Sequence, residues 1–145
     1  MEALYCIVYV SSAWSRLEDQ ALETLLQDAR RFNEQAHVTG VLLYSGGTFF
    51  QYMEGPLQGV TQAYARVRRS RAHHSIYELL NKPIDERAFS RWFMGLSHAP
   101  ASTVLALQNA AWHSQVDALP PAPQASGNHG LLLLQAYWRD NAHAL

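Results

Sequence analysis

The chain has 145 residues, 48% of them hydrophobic and 16% charged, with a formal charge of −1. That suffices for one domain with a buried core plus an extension, and the near-neutral balance gives no footing for nucleic acid or an anionic membrane as main partner. No apolar run reaches the ~20 residues of a membrane span. The start MEALYCIVYV lacks a signal peptide's basic region, and the single cysteine, Cys6, suits a buried position in a reducing compartment. The expected location is the cytoplasm.

Residues 4–10 (LYCIVYV) are rich in strand formers. Tyr5, Ile7, Tyr9 and Ser11 line one face, with Leu4, Cys6, Val8 and Val10 on the other. Both faces are largely apolar, so this strand is expected to be central and covered on both sides. The Tyr9 hydroxyl then needs a partner.

From about residue 18 to 34 the period turns helical, with Leu22, Leu25, Leu26, Ala29 and Phe32 or Asn33 at spacings of three and four. Asn33 continues the buried stripe. It either helps to stop the helix, as Asn often does, or aims a donor and an acceptor at something bound beside it.

Residues 41–44 and 48–53 form two strands around Ser45-Gly46-Gly47, where Gly-Gly supplies the positive φ of a tight hairpin. Phe49, Gln51 and Met53 share a face, which sets an amide among apolar neighbours. A buried amide without partners costs roughly 1–3 kcal/mol, so Gln51 must be bonded, by neighbouring backbone or by something else.

Pro56 suits a helix's first turn, and Leu57, Val60, Ala63, Tyr64 and Val67 then form one apolar face out to about residue 70. Arg66, Arg68, Arg69 and Arg71 gather near its end, where cations complement the helix dipole. Residues 75–81 and 91–97 read as two more strands, with Trp92, Met94 and Leu96 expected to face one way.

The order strand, helix, strand, strand, helix, strand, strand is an α+β, ferredoxin-like pattern with both helices on one sheet face and an added strand. Beyond Pro100, a helix over 102–113, a proline-bearing linker over 117–126 and a helix over 130–140 capped by Asn128 are expected. These two helices would cover the opposite face of the sheet. The expected division is residues 1–98 and a helical extension, 99–145.

No nucleophile triad, phosphate loop, dinucleotide fingerprint or zinc spacing is present, and the seven histidines are scattered. What remains is a polar trio of Tyr9, Asn33 and Gln51, with Trp92 and Met94 on the closing strand. By chemistry alone these could line one pocket between the sheet and the first helix.

LYCIVYVSSA, Asn33 followed by VTG, GGTFFQYMEG, the HHS after the second helix and RAFSRWFMGL occur in order over about the first hundred residues. Together they resemble a BLUF domain, the blue-light sensor that uses flavin. The resemblance implies a non-covalent flavin held between the two helices over the sheet, FAD with FMN and riboflavin as alternatives. It implies that Tyr9 is the photoactive tyrosine, that Gln51 lies between it and the ring, and that Asn33 pairs with the ring's pyrimidine edge. Trp92 and Met94 resemble the pair that exchanges position or hydrogen bonding with Gln51, and Ser11 supports them. Leu25, Val38, Arg71 and His73 complete the implied flavin contacts.

The implied photocycle moves an electron and then a proton from Tyr9, and ends with a rearranged Gln51 amide and a slightly red-shifted flavin. The expected protein is therefore a photoreceptor without an output enzyme, acting through a homo-oligomer and an unidentified signalling partner. Two alternatives differ in class: a flavin-dependent reductase and a cofactor-free ferredoxin-like interaction module. The chain departs from the family pattern at Phe32, where relatives often carry a second polar residue. It departs again at Ala72, where they often carry Arg; Arg71 and Arg68 are the candidate substitutes for a contact to the flavin tail.

Overall fold

A computed structural model describes residues 3–14, 18–112 and 129–141. Nine elements follow in order: β1 (Leu4–Ala13), α1 (Asp19–Ala36), β2 (Thr39–Ser45), β3 (Thr48–Pro56), α2 (Leu57–Arg69), β4 (His73–Ile84), β5 (Gly95–His98), α3 (Ala101–Asn109) and α4 (His129–Asn141). The strands form one sheet in the order β4-β1-β3-β2-β5, antiparallel throughout except for the parallel pair β2 and β5. This is the expected ferredoxin-like α+β architecture with an added strand and two C-terminal helices.

β1 has a neighbour on each side, as its doubly apolar pattern predicts. Ile7 and Tyr9 join one core cluster with Leu22, Leu26, Leu42, Met53, Val60 and Met94, under α1 and α2. Cys6, Val8 and Val10 join the other, where Val104, Leu107, Leu134 and Trp138 of α3 and α4 close the opposite face. Burial pushes the Cys6 thiol up to about 12, so it stays protonated.

The hairpin turns at Gly46 (φ 44°) and Gly47 (φ 114°), between the paired Ser45 and Thr48. α1 runs through Asn33 and ends at His37, whose left-handed backbone sends its N–H to the carbonyls of Asn33 and Glu34. Asn33 is therefore not the helix stop. β4 is longer than the expected 75–81. It lies at the sheet edge, where Pro83 removes no ladder bond that a second neighbour would need, and register shifts in its pairing with β1 carry it back to His73.

The last strand differs most from expectation. Only Gly95–His98 is strand, and residues 91–94 approach it irregularly. Their carbonyls bond outside any ladder: Trp92 accepts from the Gly40 N–H at 3.0 Å, Phe93 from Asn33 Nδ2 at 2.8 Å and Met94 from Arg30 Nε at 2.8 Å. Strand alternation does not apply there. Trp92 turns to Trp138 of α4 at 5.5 Å between ring centroids, whereas Met94 packs under α1 and α2. The expectation that Trp92 and Met94 share a face is corrected.

α3 ends at Asn109, and residue 113 with the expected linker over 117–126 and the Asn128 cap lies outside the described residues. No helix among the described residues is long and apolar enough to cross a membrane.

Candidate functional site

A cavity of about 190 Å³ opens between α1, α2 and the sheet. Leu25 and Leu26 of α1, Ala63 and Val67 of α2, and Leu42, Phe49 and Met53 of the sheet give it apolar walls. Tyr9, Asn33, Gln51, His73 and Met94 supply its polar and polarizable groups. Four of the polar residues expected from the sequence are thus brought together from four different elements.

Tyr9 and Gln51 sit directly opposite each other in the β1–β3 ladder, so their side chains meet on the cavity face. The Tyr9 hydroxyl donates to Gln51 Oε1. Gln51 Nε2 in turn donates to Met94 Sδ at 3.2 Å. Burial pushes the Tyr9 phenol well above its ordinary value, with Tyr64 adding to the effect, so Tyr9 is a neutral donor at ordinary pH. A thioether is a weak acceptor, which makes the sulfur bond the softer of the two that orient this amide.

Asn33 is 4% exposed and faces the cavity from the last turn of α1. Its Nδ2 serves the Phe93 carbonyl, which leaves the carbonyl end of the amide as its acceptor. His73 spans two layers: Nε2 bonds the Val67 carbonyl at 2.8 Å and Nδ1 lies 2.6 Å from Ser11 Oγ. A carbonyl only accepts, so Nε2 carries the proton and Nδ1 accepts from Ser11. Burial lowers the His73 pKa, with the Val67 bond opposing, and the ring stays neutral.

Ser11 is buried and reaches the cavity only through His73. Val38 is fully buried in the same core cluster but does not line the cavity. Trp92 lies across the sheet, as described above. Arg71 is exposed and outside the cavity lining, which holds Ala72, Ser70 and Arg66 instead. Arg66 sits with its guanidinium 4.6 Å from the Phe32 ring centroid, and Arg68 turns to Tyr64. Arg71 stands in the short connection between Ser70, which caps α2, and His73, where β4 begins.

Sequence reasoning missed Glu54. It is fully buried on the α3–α4 face, where Oε1 accepts from the Ala88 N–H at 2.8 Å and Oε2 from the Phe89 N–H at 2.6 Å. Arg87 adds bonds to Thr39 Oγ1 and the His37 carbonyl, both at 2.8 Å. Burial raises the Glu54 pKa, against the lowering effect of those backbone bonds, Tyr52 and Arg87. Together they tie down the segment that delivers Met94. A carboxylate at an inward position of an apolar strand was the available signal. No group of three or more metal-ligating side chains occurs among the described residues.

Comparison with known proteins places the chain in a family. A family model described as BLUF, sensors of blue-light using FAD, matches residues 4–95. The photoactivated adenylate cyclase subunit beta of Euglena longa is 33% identical over 86 residues, 59% of this chain and 10% of that protein. The blue light- and temperature-regulated antirepressor BluF of Escherichia coli K12 is 37% identical over 75 residues, 52% of this chain and 19% of that protein. The chain thus spans about a tenth of the length of the cyclase subunits it matches. Among solved structures, BlsA in its photo-activated state matches with a TM-score of 0.64 at 30% identity, over 73% of this chain and 77% of that one. BlrB, a BLUF protein in its dark state, has a TM-score of 0.65 at 23% identity over 94% and 98%, a likeness of fold.

Proposed function

The chain belongs to the BLUF family of blue-light sensors using FAD, and from that premise we propose that the cavity holds a flavin and that Tyr9, Gln51 and Met94 form its light switch. The observation that carries this reading is the continuous chain from the Tyr9 hydroxyl through the Gln51 amide to the Met94 sulfur. The donor set fits such a group. Apolar walls on α1, α2 and the sheet suit a flat ring, and the Asn33 and Gln51 amides suit an edge of alternating donors and acceptors.

When bound, flavin supplies blue-light absorption and an excited state that draws an electron. Tyr9 is the residue that yields the electron and its phenolic proton, and Gln51 Oε1 is the atom placed to receive that proton. The proton and the electron would then return to Tyr9, leaving the amide rotated or tautomerised. Rotation exchanges the two ends: Nε2 turns toward the Tyr9 oxygen and Oε1 toward the Met94 sulfur, where two acceptors face each other. Met94 must then give way, and it leads directly into β5.

In this reading residues 1–98 sense light, and residues 99–145 with a partner protein carry the signal onward, with no output enzyme in the chain. The cavity-lining Arg66, rather than Arg71, is the cation for a phosphorylated tail, which favours FAD or FMN over riboflavin. The leucine-rich α4 supports a homo-oligomer, and the location is the cytoplasm. The absorption spectrum of the flavin-loaded protein under blue light tests the switch. The expected outcome is a small red shift that reverses in the dark; bleaching, or an unchanged spectrum, sinks it.

A further inference from the structure

A second concavity of about 410 Å³ lies on the outer side of α1, against residues 91–94. Arg30, Arg31 and Arg91 line it with a single carboxylate, Glu34. Trp92 and Phe93 also line it, and Phe93 is 41% exposed although it is a large apolar side chain. The Arg31–Asp28 pair is 3.8 Å apart with both side chains exposed, so it neutralises Arg31 only weakly.

The groove and the flavin cavity share Met94. Asn33 holds the Phe93 carbonyl from the cavity side, and Arg30, one turn earlier on α1, holds the Met94 carbonyl from the groove side. Displacing Met94 therefore strains the bond that positions the Arg30 head. Three cations around an exposed aromatic favour an anionic chain with an apolar anchor, since Arg binds carboxylates bidentately and an exposed ring offers contact area.

We propose that this groove is a docking site for an acidic segment of a partner protein, and that illumination changes its affinity through Met94 and Arg30. The coupling rests on the switch reading; the groove's charge preference does not.

The test uses the full flavin-loaded chain and a peptide of six glutamates around one phenylalanine, carrying a far-red label. Its counterpart has glutamine in place of glutamate. The glutamate peptide is expected to bind at least about tenfold more tightly, and Arg31→Glu with Arg91→Glu to abolish that preference while the red shift persists. Affinity is expected to differ between dark and lit protein, and Arg30→Gln to remove that difference. Equal binding of the two peptides, or insensitivity to charge reversal, overturns the groove. Displacement by inorganic pyrophosphate with no contribution from the phenylalanine overturns it in favour of a phosphate ligand. A change in assembly on charge reversal without peptide binding assigns the surface to a second copy instead. Equal affinity in dark and light despite a full red shift overturns the coupling alone. If the red shift itself is missing, the switch reading fails, and the dark-state comparison still decides the groove.

Discussion

At the scale of single residues, the site depends on few polar atoms with few partners. Tyr9→Phe keeps the ring and its packing but removes the only proton that Gln51 Oε1 accepts from that side. It is expected to retain flavin and lose the red-shifted product; Gln51→Leu should do the same. A normal light-minus-dark spectrum in either variant would move the switch to other residues. His73 gives a pH dependence of definite sign. Its folded pKa is lowered by burial from the ordinary 6.5, so the unfolded chain takes up the proton first. The stability that His73 contributes is present above 6.5 and is lost as pH falls through its lowered folded value. Glu54 acts with the opposite sign: its raised pKa contributes stability below the ordinary 4.5 that is lost as pH rises through the folded value. Urea unfolding should therefore show the gap between the parent and His73→Gln narrowing from about pH 7 to about pH 5. A constant gap would contradict a neutral buried imidazole.

Elements decide where those residues point. The segment before β5 is held by Glu54 and Arg87 on one side and by Gly40, Asn33 and Arg30 on the other. That clamp lets Trp92 and Met94 take opposite faces. Gly95 opens β5 because Trp138 leaves no room for more: a Cβ there would meet the indole Cζ2 at 2.6 Å. The indole is buried and flat, so it cannot swing aside cheaply. Gly95→Ala should cost on the order of 1–3 kcal/mol by overpacking and loosen α4, while leaving the Tyr9–Gln51 bond in place. Trp138 fluorescence and flavin occupancy separate the two effects. Loss of flavin with an unchanged Trp138 signal would count against this account.

For the whole molecule, α3 and α4 are part of the core. Leu134 and Trp138 of α4 are buried in the same cluster as Val8 and Phe50 of the sheet. A buried leucine contributes on the order of 2–3 kcal/mol, so removing α4 should destabilise the sensor as well as alter its assembly. Leu132 of α4 and Leu105 of α3 are each 57% exposed, apolar side chains left open among the described residues. If α4 forms an interface between copies, Leu132→Glu should lower the mass in solution by a whole subunit step with little loss of monomer stability. An unchanged mass in dark and light removes α4 from any interface.

Periodicity and turn chemistry made most of the architecture legible before any coordinates. The alternation in β1, the Gly46-Gly47 turn and the helical stripes of α1 and α2 are local patterns that their environments reinforce. The polar trio stood out because an amide or a phenol on an apolar face demands a partner wherever the strand goes. Residues 91–94 were different. Their direction is set by bonds to their carbonyls from the Arg30 and Asn33 side chains of α1, 64 and 60 residues away along the chain, and from the Gly40 N–H of β2, and no local period records those bonds. For the same reason no local pattern shows that Arg66 lines the cavity and Arg71 does not, or that Glu54 is an anchor. Which arginine reaches a cavity depends on where α2 ends over the sheet. A buried carboxylate is tolerable only where backbone N–H groups from a distant loop arrive to meet it.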